Sequence, residues 1–130
     1  MTYEDIKSSD INSPHIIIRL RGGLGNQMFM YAFAKSLSIK NRIPLKVDTI
    51  SGFSNDKTYK RKYLLHHFSI DDEIASNWES FHHILGKKRR KVTIKYNKFL
   101  SLTKRNYITE RVKAFDKDIF DITTVPTLIE

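Results

Sequence analysis

These 130 residues contain no cysteine. A disulfide framework and a thiolate metal centre are both excluded, and the absence fits a reducing compartment. Long apolar runs are missing as well. The longest strongly apolar stretches are Ile16-Ile17-Ile18 and a patterned region after Met28, far short of the roughly 18–20 residues of a membrane span. The opening residues, Met1-Thr2-Tyr3-Glu4-Asp5-Ile6-Lys7, are mixed in charge and lack the apolar centre of a signal peptide. A soluble, cytoplasmic protein is expected. Acid is scarce in one place: between Lys87 and Lys113, eleven basic residues stand against Glu110 alone, so the net charge of +9 is concentrated there. Such a stripe attracts phosphates, anionic lipid or nucleic acid, and it does not bear on fold.

What is present is the composition of a globular domain, with 40% apolar and 28% charged residues. No internal repeat occurs. Met1 to Pro14 is a polar lead-in that ends in the turn signal Asn12-Ser13-Pro14. His15-Ile16-Ile17-Ile18-Arg19-Leu20 reads as a strand buried on both faces, the pattern of a parallel sheet. A turn, Arg21-Gly22-Gly23-Leu24-Gly25-Asn26-Gln27, holds three of the five glycines. The period then changes. Phe29, Phe33 and Leu37, with Ala32 between them, mark one stripe of a helix that starts at Asn26 or Gln27 and reaches about Lys40, where Asn41, Arg42 and Pro44 stop it. Leu45-Lys46-Val47-Asp48 reads as a second strand, parallel to the first by the right-handed crossover rule. Strand, glycine turn, helix and strand open a doubly wound α/β fold.

Beyond Asp48 the pattern is weaker. Residues 51–60 are polar and loop-like. Asp71-Asp72-Glu73 reads as the acidic start of a helix carrying Ile74, Trp78, Phe81 and Ile84-Leu85, with Trp78, Phe81 and Leu85 in the core. Val92 to Leu102 fits helix or strand equally. His66-His67 and His82-His83 lack the spacing of a metal pair, since adjacent side chains diverge on either element.

The glycine turn admits two readings. Glycine lets backbone N–H groups approach a ligand, and a helix dipole favours an anion there, which suits a phosphate or sugar nucleotide. The plain alternative is a tight turn that needs a positive φ and binds nothing. The dinucleotide fingerprint G-x-G-x-x-G is met at Gly23 and Gly25, but its third position falls on Met28; Asp48 would be its ribose partner.

The run Gly22-Gly23-Leu24-Gly25-Asn26-Gln27-Met28-Phe29, followed by Tyr31-Ala32-Phe33-Ala34-Lys35-Ser36-Leu37, closely resembles the signature of glycosyltransferase family 11, the α-1,2-fucosyltransferases. Pro44, Leu45 and Asp48 are similar to that family's next strand, and Arg61, Tyr63, Leu65, Phe68 and Ile70 resemble the segment after it. The resemblance implies the N-terminal half of a GT-B-type transferase with a Rossmann-like parallel sheet, beginning after the lead-in at residue 15 and incomplete at residue 130. The implied reaction moves L-fucose from GDP-fucose to the 2-hydroxyl of a galactose-containing glycan, with inversion and without a required metal or cofactor. It places Gly22, Gly23, Gly25, Asn26 and Gln27 on the donor. Asn26 would position rather than titrate, because an amide donates and accepts hydrogen bonds without ionising near neutral pH. If it served only as a helix cap, aspartate would replace it silently.

The same resemblance implies a C-terminal histidine-x-arginine-arginine-glycine-aspartate segment, whose arginine stabilises the departing diphosphate. No such segment is present; His82-His83-Ile84-Leu85-Gly86-Lys87 is the nearest in composition. No catalytic residue is therefore assigned, and the chain alone is expected to be inactive. The rival reading is a basic module using residues 87–113 on nucleic acid or on an anionic membrane surface. Nucleic acid is the less favoured of the two, because no common nucleic-acid-binding motif occurs.

Overall fold

Three consecutive isoleucines can all be buried only where both faces of a strand are covered, and that is where they lie. In the computed structural model, residues 14–80 and 84–101 are described, together with strand positions 107–108 and 128–129. Strand β1 (Ile16–Arg19) is buried throughout and runs parallel to β2 (Leu45–Asp48), with Ile16 opposite Leu45 and Arg19 opposite Asp48. A short β3 (Glu73–Ile74) extends the sheet beyond β2. On the other side of β1 lie β5 (Leu128–Ile129) and then β4 (Tyr107–Ile108), all parallel, giving the order β3-β2-β1-β5-β4. This is an α/β fold.

Helix α1 (Leu24–Asn41) covers one face and packs Ala34 and Leu37 on Ile16, Ile18, Leu45 and Val47. Helix α2 (Ile84–Asn97) lies on the opposite face, where Ile94 meets Ile17 and Ala75. Alternation along β1 assigns Ile16 and Ile18 to one helix and Ile17 to the other. Helix α1 ends as its sequence implies: Arg42 takes a left-handed conformation with φ 55°, and its N–H and that of Ile43 bond back to Ile39 and Ser38.

Two sequence expectations are corrected. The inward stripe of α1 keeps Leu37 and, in part, Phe33 from the expected set, but not Phe29 or Ala32. Gln27, Ala34, Leu37 and Ser38 are buried, Phe33 is only half-buried, and Phe29 and Ala32 face solvent. Two polar side chains face inward because each satisfies backbone: Ser38 Oγ donates to the Ile43 carbonyl at 2.6 Å, and Gln27 is described below. Nor do Asp71, Asp72 and Glu73 begin a helix. Glu73 and Ile74 pair with Lys46 and Val47 as β3, and neither Trp78, in a surface turn and 84% exposed, nor Leu85, 74% exposed on a separate helix, is in the core. Asp72 instead accepts bonds from Lys35 Nζ, at 2.7 and 2.9 Å, and from the Tyr31 hydroxyl, tying β3 to α1. Phe81, His82, His83 and most of the stripe after Ser101 lie outside the described residues.

An ionic cluster closes the far face. Lys46 Nζ lies 2.8 Å from Glu79 Oε1 and 3.4 Å from Glu73, and His15 Nε2 lies 3.1 Å from Glu79. Glu79 also accepts from the Ser76 N–H and hydroxyl, each at 2.8 Å. Burial disfavours the charged carboxylate, but Lys46 and the Ser76 donors outweigh it and hold Glu79 down to about 2. A carboxyl depressed in the fold stabilises it above the ordinary carboxyl range, and that contribution is lost as pH falls from 4.5 towards about 2. Glu79→Gln should therefore lower the urea midpoint at neutral pH and match the parent below the folded pKa. A difference that stays constant through this window would show that Glu79 acts by packing alone.

Candidate functional site at the glycine turn

The chain leaves β1 at its C-terminal end and reaches α1 through Leu20 to Gly23. Sequential strands run outward from β1 on one side only, and β5 flanks it on the other. The carboxyl end of β1 is thus a topological switch point, where open α/β sheets leave a crevice. Gly22 is the glycine that conformation demands, with φ 78° and with a Cβ there falling 2.9 Å from Asn26 Nδ2.

Gly23 and Gly25 differ from it. Gly23 heads α1 in an extended conformation that any residue adopts (φ −75°, ψ 175°), and a Cβ on either glycine would meet nothing within 4 Å. Neither a positive φ nor crowding accounts for glycine at these two positions, although Gly23 stands at the N-cap, where glycine is favoured over alanine. No side chain caps the helix, and no acidic residue occupies its first turn. Its leading N–H groups, and the positive end of its dipole, are left to solvent or a ligand. Exposed Arg21, Arg61 and Lys62 lie on the segments that form this end, and Leu24, Met28 and Phe29 are exposed on the first two turns of α1.

Asn26 is exposed, and its Nδ2 donates to the Arg21 carbonyl at 2.9 Å. It latches the turn as a donor and is not the helix cap, a position held by Gly23. Aspartate cannot donate this bond, so Asn26→Asp is expected to loosen the turn whether or not a ligand binds, and the substitution does not separate the two readings.

Gln27 is fully buried, and every polar group of its side chain is used. Its Nε2 donates to the carbonyls of Gly22 (2.9 Å) and Lys62 (2.8 Å), while Oε1 accepts from the Leu64 N–H (2.9 Å). It supports the site by fastening the 62–64 segment to the turn, and it has no group left for a donor sugar. Gly22, Gly23, Gly25 and Asn26 are thereby brought together at the surface, with Gln27 beneath them.

Asp48 does not serve as a ribose partner. It is buried, with Oδ1 accepting from the N–H groups of Ile50 (3.0 Å) and Ser51 (2.9 Å), and Oδ2 accepting from the Ser51 hydroxyl. The dinucleotide reading loses its acid as well as its third glycine. Sequence reasoning missed the partner of this turn. Arg19 donates from Nε to Ser51 Oγ and from a terminal nitrogen to the Ser51 carbonyl, both at 2.9 Å. The signal was a charged residue ending an apolar strand. Gly52 follows, so close to β1 that a Cβ would overlap the Leu20 carbonyl oxygen and lie 2.8 Å from its carbon.

The His66 and His67 side chains do not diverge as expected, since their ring centroids lie 4.0 Å apart in a short 3-10 turn (Leu65–His67). Among the described residues, however, no three His, Cys, Asp or Glu side chains are grouped to hold a metal. No helix of the described residues is long and apolar enough to cross a membrane. No protein-family model, curated protein or solved structure matches the chain.

Proposed function

We propose that this chain forms the N-terminal, Rossmann-like part of a GT-B-type galactoside α-1,2-fucosyltransferase, and that its glycine turn contacts the diphosphate or fucose of GDP-fucose. The observation that carries this reading is the pair Gly23 and Gly25, with open space where a Cβ would stand, at a helix N-terminus without a side-chain cap on the carboxyl edge of a parallel sheet. The octet from Gly22 to Phe29, with its resemblance to family 11, supplies the substrate.

Within that proposal each residue has a physical task. The first-turn N–H groups and the helix dipole receive negative oxygens. Gly23 and Gly25 let the donor reach the backbone. Asn26 fixes the turn through Arg21, and Gln27 fixes it through Gly22 and Lys62. The exposed Leu24, Met28 and Phe29 form an apolar wall for the cleft's second side. These residues bind and orient; they hold no base to activate the galactose hydroxyl and no bidentate arginine clamp for the leaving diphosphate. The 130 residues alone are therefore proposed not to turn over.

Alanine at Gly25 tests this without the ambiguity of Asn26. In an open helical position it should raise stability by about 0.5–1 kcal/mol, because glycine loses more freedom on folding. A methyl group on the cradle should at the same time weaken GDP-fucose binding by about tenfold, or about 1.4 kcal/mol. Melting temperature and calorimetric titration of Gly25→Ala, with Gly23→Ala beside it, read both. Raised stability with unchanged donor affinity would refute the contact.

A further inference from the structure

Among the described residues, helix α2 packs on the sheet through few of its side chains. Only Asn97 along its length is buried, with Ile94 partly packed on Ile17 and Ala75. Its outward side is not the polar surface expected of such a helix. Leu85, Val92 and Tyr96 lie at i, i+7 and i+11, with Arg89 at i+4 interrupting the row and bordering the hollow at its start, and Phe99 continues the stripe in the turn that closes the helix. Trp78, Ile84 and Leu85 line a shallow hollow of about 480 Å³ beside its start. All six of these large apolar side chains are between 63% and 84% exposed. Beside the stripe run Lys88, Lys91 and Lys95, and none of these lysines has an ion-pair or hydrogen-bond partner among the described residues. From Ile84 to Ser101 there is no acidic residue.

We propose that α2, together with Trp78, docks on an anionic phospholipid surface, lying in the plane of the interface. The apolar stripe enters the boundary between headgroups and acyl chains, and the lysines extend along it to the phosphates. A bilayer offers both an apolar layer and negative phosphates, and α2 presents both complements side by side. Trp78 and Tyr96 are the residue types that settle at headgroup depth. Nucleic acid matches the lysines and can stack on the aromatic rings, but it leaves Ile84, Leu85 and Val92 in water. A second copy matches the apolar stripe but sets lysine against lysine.

Trp78 is the chain's sole tryptophan, so its fluorescence reports directly on the stripe. The full chain is titrated with vesicles of equal parts phosphatidylglycerol and phosphatidylcholine, and separately with phosphatidylcholine alone. A blue shift with the mixed vesicles, its absence with the neutral ones and its reversal by salt are expected. Lys88→Gln and Lys91→Gln should each lower the partition coefficient about fivefold. Leu85→Ser with Val92→Ser should abolish the blue shift without altering circular dichroism, because both side chains are already exposed. Equal partition into neutral vesicles, or no shift with either, would overturn the proposal. So would displacement of the bound chain by a single-stranded oligonucleotide, which would assign the face to nucleic acid. Dimerisation in sedimentation velocity that Leu85→Ser abolishes would assign it to a second copy.

Discussion

Gly52→Ala is expected to cost this protein most or all of its folded state. The added Cβ would overlap the Leu20 carbonyl oxygen, a backbone atom that cannot rotate away. Relief requires either the end of β1 or the 51–54 turn to move by a large part of a bond length. The turn is held by Asp48, which accepts from the Ile50 and Ser51 N–H groups, and by Arg19, which binds Ser51 through two further bonds. Overpacking against mobile side chains costs about 1–3 kcal/mol, and a clash between two fixed backbones lies at or beyond the top of that range. Domains of this kind are stable by about 5–15 kcal/mol in total. The expected result is poor soluble yield or a strongly lowered urea midpoint. A variant that melts with the parent would show that the 48–52 turn stands further from β1 than described.

Gln27→Leu is expected to be nearly as severe, although leucine is apolar, of similar size and placed in the core. The substitution removes the one side chain that satisfies the carbonyls of Gly22 and Lys62 and the N–H of Leu64. A buried polar group left unpaired costs about 1–3 kcal/mol, so three of them place the loss on the order of 3 kcal/mol or more. At a few degrees per kcal/mol the melting temperature should fall by about 10 °C. Gln27→Glu should not rescue it, because a carboxylate cannot donate to two carbonyls. An unperturbed melting temperature for the leucine variant would mean that water replaces the amide, and that the 62–64 segment is not fastened to the turn.

These two positions also mark where sequence reasoning reached its limit. The strand of three isoleucines, the glycine turn, the helix and the parallel second strand were legible, because burial on both faces and the abrupt change of period leave a local signature. Helix α1 begins at Leu24, two or three residues earlier than expected, because Gly23 caps it without a side chain. The inward placement of Gln27 was not legible: its partners at residues 62 and 64 are distant in sequence, and a glutamine in an apolar stripe reads as solvent-facing. The same holds for Asp72. Its neighbours Asp71 and Glu73 imitate a helix start, whereas its role is set by Tyr31 and Lys35 on another element. Strand β3 is two residues long, too short to carry a period. Asp48 stood where a ribose ligand would, and only the turn it caps shows why it is an aspartate. In the site, the clustering of Gly22, Gly23, Gly25 and Asn26 could be read from their spacing. The division of labour among them could not, since it depends on whether a Cβ at each glycine would meet an atom or open space.

Binding of a sugar nucleotide at the glycine turn, as proposed, is tested most directly by following the backbone amides of the 130-residue chain during titration with GDP-fucose. Saturable shifts are predicted at Gly23, Leu24, Gly25 and Asn26, weaker for GDP-free fucose and diminished in Gly25→Ala. Shifts confined to the lysines of α2, or no response at the turn at saturating nucleotide, would contradict it.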